Sequence, residues 1–239
     1  MVKRQLLLLS SSRVHGYGGF LEYASNDICN ILTDNNVSTV LFIPYAKRNH
    51  EEYLRLAEKP FKKWGFHIAS IHTQDPQKAI QEAEAIFIGG GNTFRLLKTL
   101  YELDLVKAIN KRVLEEGVPY IGSSAGSNVA TRSIHTTNDM PIVWPPSLSA
   151  LNLVPFCINP HFQDNPENST HMGETREDRI LDYQEEPDSS TVLGLREGAT
   201  LYVKDNQAVI KGIHGGRLYI RGAEPKEIKV GSDISYLLQ

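Results

Sequence analysis

Residues 83–97 read AEAIFIGGGNTFRLL. An apolar run of strand length, with no polar alternation, ends in three glycines, and a helix-forming run opens straight after them. A strand without a polar face is buried on both sides, as in a parallel sheet covered by helices. The same unit recurs outward in both directions. QLLLLS (5–10), STVLFIP (38–44), FHIASI (66–71) and VPYIGS (118–123) read as further strands buried on both faces. Helices are expected over 19–34, 50–64, 76–82, 93–101 and 103–116. The alternation predicts an α/β fold, an open and mainly parallel sheet with helices on both faces.

Past residue 190 the rhythm changes. TVLGLREGATLYV, NQAVIKG and RLYIRG are short strands separated by Gly or Asp-Asn turns, which predicts a C-terminal antiparallel meander or extension of the sheet. The polar run NPENSTHMGETRED (165–178) reads as an exposed or mobile segment. With no internal repeat and no low-complexity linker, 1–239 is taken as a single domain.

Composition narrows the function classes. A chain of 239 residues buries about 70% of its unfolded surface, so it needs neither disulfides nor metal to fold. Its net charge of −3 offers no basic footprint for nucleic acid, and no apolar run is long enough for a membrane span. The opening MVKRQLLLLSSS imitates a signal peptide, but its four leucines are too short an apolar region and suit a first buried strand. Cys29 and Cys157 are the only cysteines, which fits two free thiols in a reducing cytoplasm.

The chemistry concentrates in VPYIGSSAGSNVA (118–130), where Ser124 stands at the centre of Gly-x-Ser-x-Gly at a strand-to-helix junction. A sharp turn there lifts a nucleophilic hydroxyl out of the sheet and aims the next helix's free N–H groups at a developing oxyanion. The bland alternative is a helix N-cap serine. Gly89–Gly91 carry neither a dinucleotide fingerprint, which would need glycine at Phe94, nor the Gly-Lys-Ser/Thr of a Walker loop. They suit a tight turn offering an N–H to a reacting carbonyl, with Asn92 or Thr93 capping the helix behind.

A serine nucleophile needs a base. Of eight histidines, His161 stands out: in FCINPHFQDN it follows Pro160 at an expected strand end, where open α/β sheets gather ligand-binding groups. The base in turn needs an orienting carboxylate, and two compete, Asp139 in TTNDMPIV and Glu197 in GLREGATL.

The set IFIGGGNTFRLL, GSSAGSNVA, NDMPIV, INPHF and GETREDRI, spread in order over nearly the whole chain, resembles the peptidase E (α-aspartyl dipeptidase) family of serine peptidases. That resemblance implies a flavodoxin-like sheet of the class I glutamine amidotransferase type and hydrolysis of Asp-X dipeptides in the cytoplasm, without metal or cofactor, by a monomer or homodimer. It implies Ser124 as nucleophile, His161 as base, and either Asp139 or Glu197 as third member, with Glu197 preferred and Asp139 then shaping the pocket. Oxyanion donors would be the amides of Ala125 and of Gly90 or Gly91. Arg176 would grip the substrate's carboxylate, with Asn92 and Thr93 also near substrate. Arg176 could instead be a surface arginine paired with Glu174 or Asp178. Two alternatives stand beside this reading: a related serine hydrolase of other aspartyl peptides (cyanophycin-type), and a non-catalytic aspartate- or peptide-binding protein.

Overall fold

The computed structural model describes residues 2–165 and 172–239. Five strands, β1 (Gln5–Leu9), β2 (Thr39–Ile43), β3 (His67–Ser70), β4 (Ala85–Ile88) and β5 (Tyr120–Ser123), pair in parallel in the order β3-β2-β4-β5-β1. Alternation along β1 shows why the run is apolar throughout. Leu6 and Leu8 join one buried cluster with α3 (Pro76–Glu82), α4 (Thr93–Glu102), α5 (Leu105–Leu114) and α6 (Ala125–Val129). Leu7 and Leu9 join the opposite cluster with α1 (Ser25–Asp34) and α2 (His50–Lys63). Successive side chains point to opposite faces, and here both faces are covered.

Two expectations are corrected at the margins. β3 is the edge strand, with His67 exposed and Ile68 and Ala69 only half-buried, so it is not covered on both faces. The helix expected from residue 19 begins regular α-geometry at Ser25, after a 3-10 turn over Glu22–Ala24. Gly18 and Leu21 hold φ of 82° and 62°, a left-handed conformation that cannot continue into a right-handed helix.

The C-terminal part divides between two sheets. β8 (Ala199–Lys204) and β9 (Gln207–Gly212) extend the main sheet antiparallel from β1. β6 (Cys157–Phe162), β7 (Val192–Arg196), β10 (Gly216–Tyr219) and β11 (Lys226–Ile228) form a second sheet, ordered β11-β10-β7-β6. In it β6 and β7 run parallel and the other pairs antiparallel. One apolar cluster spans both sheets, from Leu6 and Ile88 through Val129 to Ile158, Leu193 and Leu218.

The polar run 165–178 falls partly on 166–171, which, with the unremarkable His171, lie outside the described residues. Of the remainder, Met172 to Glu174 are exposed, but Arg176 opens helix α7 (Arg176–Glu185). Thr175 and Asp178 cap it reciprocally: the Thr175 hydroxyl accepts from the Asp178 amide at 3.1 Å, and the Asp178 carboxylate accepts from the Thr175 amide at 2.8 Å.

Arg196, at the end of β7, clamps the second sheet. Its guanidinium donates to both carboxylate oxygens of Asp164 (2.6 and 2.8 Å) and of Glu227 (2.7 and 2.8 Å). It holds both carboxyls below their ordinary pKa, the direct hydrogen bond being the largest cause. A carboxylate with a depressed folded pKa contributes stability that is present above its unfolded pKa and is lost as pH falls through the folded value. The melting temperature should therefore drop as pH is lowered from about 5 towards 3. In Arg196→Gln that acid-induced drop should be shallower, as a series of thermal melts would show.

Candidate active site

Ser123 ends β5 fully buried. At Ser124 the backbone turns to φ 55°, ψ −110°, and α6 starts one residue later. Such backbone is sparsely allowed for an L-residue, and close neighbours without side chains make room for it. A Cβ on Gly126 would stand 2.0 Å from the Ile88 carbonyl oxygen, and one on Gly122 would stand 2.6 Å from the carbonyl oxygen of Gly126. The corner is pinned on both sides. Ser124 N–H donates to Leu9 O at 3.0 Å, and Ser124 O accepts from the amides of Ser127 and Asn128 at 2.9 Å.

His161 lies on β6, in the second sheet, where pairing with β7 shifts register between Asn159 and Phe162. Pro160 has no N–H to give to a ladder, and His161 takes φ 54°. Its N–H donates to Ser10 Oγ at 2.8 Å, and Ser10 Oγ donates to Leu195 O at 2.7 Å. The ring then bridges two side chains: Nε2 lies 3.0 Å from Ser124 Oγ and Nδ1 2.7 Å from Glu197 Oε1. With its Nδ1–H given to Glu197, Nε2 is left as acceptor for the serine hydroxyl.

The two competing carboxylates separate in space. Glu197, in the turn between β7 and β8, meets the imidazole. Asp139 meets Thr93 instead: its Oδ2 accepts from the Thr93 N–H at 2.7 Å and the Thr93 hydroxyl at 2.6 Å. A carboxylate there also faces the positive end of α4. Asn92 and Thr93, expected near substrate, spend their polar groups within the protein. Asn92 Oδ1 caps the Arg95 amide, its Nδ2 donates to Met140 O at 2.9 Å, and Thr93 is buried. Together they pin the 137–140 loop to the helix behind the glycine turn.

The amides of Gly90, Gly91 and Ala125 donate to no backbone carbonyl among the described residues. Gly90 stands beside the hydroxyl, since a Cβ on it would lie 3.5 Å from Ser124 Oγ. Gly91 holds φ 142°, and a Cβ there would meet the Ala46 carbonyl oxygen at 2.4 Å, so this turn excludes a side chain on both steric and conformational grounds. Arg176 is half-buried at the first turn of α7. Neither acid named as its surface partner engages it: Glu174 lies 3.5 Å from Arg179, and Asp178 is taken by the Thr175 cap. Burial lowers its pKa, with Arg179 adding repulsion.

Ser124 and His161 open onto a cavity of about 350 Å³ that Gly90 and Gly91 also line, while Arg176 does not. Its other walls include Arg13, Lys47 and Tyr53. Tyr53 lies beneath the glycine turn, where a Cβ on Gly89 would meet its hydroxyl at 2.3 Å. Burial pushes its phenol well above the ordinary value, and the Gly90 backbone N–H opposes that shift. None of these three residues, nor Ser10, stands out in the sequence. The one available signal is position: all follow or flank the carboxyl ends of parallel strands, where such sheets bind ligands.

Among the described residues no cluster of His, Cys, Asp and Glu could hold a metal ion, and no helix is long and apolar enough to cross a membrane. The family model for peptidase family S51 matches residues 6–211. The chain is 48% identical over 237 residues to a Drosophila melanogaster protein named "Probable alpha-aspartyl dipeptidase", covering 99% of this chain and 98% of that one. It is 47% identical over 234 residues to "Peptidase E" of Streptomyces coelicolor, covering 98% and 94%. The crystal structure of a peptidase from an acI-B1 Actinobacterium shares the fold at a TM-score of 0.73 and 18% identity, over 98% of this chain and 97% of that one. By the near full-length match, the chain belongs to peptidase family S51.

Proposed function

We propose that this protein is a serine dipeptidase that hydrolyses dipeptides with an N-terminal aspartate through an acyl-enzyme on Ser124. The observation that carries the reading is the continuous Ser124–His161–Glu197 hydrogen-bond chain, 3.0 and 2.7 Å, built on a strained elbow. The name of the Drosophila melanogaster relative supplies the substrate class.

Ser124 Oγ attacks the scissile carbonyl carbon while His161 Nε2 takes its proton. The carbonyl oxygen becomes an oxyanion held by the amides of Ala125 and of Gly90 or Gly91. Collapse breaks the C–N bond, His161 returns the proton to the departing amine, and an aspartyl ester remains on Ser124. Water, deprotonated by His161, attacks that ester; the C–Oγ bond breaks, His161 returns the proton to Ser124 Oγ, and aspartate is released. Glu197 keeps the imidazole in the productive tautomer and stabilises the imidazolium. Asp139 supports the glycine turn from behind without touching the base. Arg176, whose neighbours Glu174 and Asp178 pair elsewhere, is the side chain that grips the substrate's side-chain carboxylate, which requires the α7 end to approach the cavity once substrate is bound. The protein works in the cytoplasm, in keeping with its two free cysteines.

The deciding experiment compares Asp-Leu with Asn-Leu and Glu-Leu on wild type and Ser124→Ala. Wild type should cleave Asp-Leu preferentially, and the variant should be inactive with an unchanged melt. Turnover by Ser124→Ala, or equal rates on all three dipeptides, would refute the reading. The two carboxylates should respond differently to substitution. Glu197→Gln should lower kcat by roughly three orders of magnitude. Asp139→Ala should show chiefly in urea unfolding, losing about 1–3 kcal/mol because two buried Thr93 donors go unpaired. Arg176→Ala should erase most of the Asp-over-Asn preference, a loss of about 2 kcal/mol in relative kcat/KM.

A further inference from the structure

The cavity at Ser124 continues into a larger one of about 600 Å³, and the two share Arg13, Lys47, Tyr53 and Leu56 as a common wall. Beyond that wall the larger cavity adds Arg48, Arg55 and Lys59. Five cations from three segments thus line one trough, in a chain whose net charge is −3. The acid on its wall, Glu52, accepts a hydrogen bond from Asn49 at 3.0 Å. Among the described residues none of the five cations makes an ion pair. Unpaired like charges crowded into a concave surface repel one another and focus a positive potential into the cavity.

We propose that this trough is the subsite for the residue that leaves, and that it selects a negatively charged one. The inference rests on the dipeptidase reading. Arg13 and Lys47, in the same cavity as Ser124 and His161, hold the C-terminal carboxylate of the dipeptide. That group lies only about one residue length, roughly 3.5 Å, past the scissile bond. Arg48, Arg55 and Lys59 lie further out, where the side chain of the second residue points, and favour Asp or Glu there. The arrangement explains a length limit as well as a preference. In a longer peptide the α-carboxylate is replaced by a neutral amide, and the two cations at the wall are left without their partner.

The test measures kcat/KM for Asp-Glu, Asp-Gln and Asp-Lys, and for Asp-Leu against Asp-Leu amide. The proteins are wild type and the Arg13→Gln/Lys47→Gln double variant, with melts to confirm folding. In wild type, Asp-Glu should exceed Asp-Lys by about tenfold or more at low salt, the gap narrowing in about 0.5 M salt. Asp-Leu should exceed its amide by about tenfold, and that difference should vanish in the double variant.

Equal wild-type rates on Asp-Glu and Asp-Lys would overturn the acidic preference. A double variant that keeps the carboxylate-over-amide ratio would overturn the assignment of Arg13 and Lys47 to the C-terminal carboxylate. Either failure leaves Asp-X turnover intact. A wild type that cleaves none of these dipeptides would remove the dipeptidase reading itself, and this subsite with it.

Discussion

The site depends on where β1 ends. Leu9 is the last residue of β1 and Ser10 the first beyond it, and their polar groups are shared between the two halves of the site. Leu9 O accepts from the Ser124 amide at 3.0 Å and from Ser127 Oγ at 2.6 Å, which fixes the elbow. Ser10 Oγ accepts from the His161 amide and donates to Leu195 O, which fixes the second sheet against the first. Ser10 is fully buried, so these bonds form away from water, where leaving either partner unmade would be costly. Nucleophile and base come from different sheets, and this one strand end holds them in register.

Both residues so held are strained. Ser124 and His161 are non-glycine residues at positive φ, 55° and 54°, each costing on the order of 1–3 kcal/mol unless the surroundings over-determine it. The surroundings do. Gly126 presses against Ile88 O so closely that no side chain fits between them. At His161 the missing N–H of Pro160 and the register shift let the chain leave the ladder, and Ser10 catches the amide that the ladder no longer pairs. Of the seven non-glycine residues at positive φ among the described residues, these two have side chains that meet, at 3.0 Å.

Legibility in the sequence followed the range of the interaction. β1, β2, β4 and β5 and helices α2 to α5 were readable to within a few residues because burial on both faces and glycine turns are local signals. The second sheet was not readable. Its one parallel pair, β6 at the edge with β7, joins residues some 35 positions apart, and nothing in INPHF or TVLGLR states that they leave the main sheet. The choice between Asp139 and Glu197 was closed to the sequence for the same reason. Each is an acid in a polar turn, and only the packing shows that one faces Thr93 and the other His161. The cationic trough was invisible residue by residue, since Arg13, Lys47 and Arg55 belong to three segments that only the fold brings to one cavity.

The exposure of the hydrogen-bonded trio bears on what orients the base. The side chains of His161 and Glu197 are 37% and 49% exposed, so their mutual attraction is screened and contributes little to holding either in place. A carboxylate in that position can select a tautomer, but it cannot by itself aim the ring. The aim comes from the backbone, through the positive φ of His161 and the buried Ser10 contact, and through Pro160, whose fixed ring limits how the preceding chain can move. The base is therefore positioned by groups that carry no charge and take no proton, and the charged partner is left free to respond to the proton that His161 gains and gives up. That separation lets the site stay open to solvent and substrate on one side without loosening the geometry on the other.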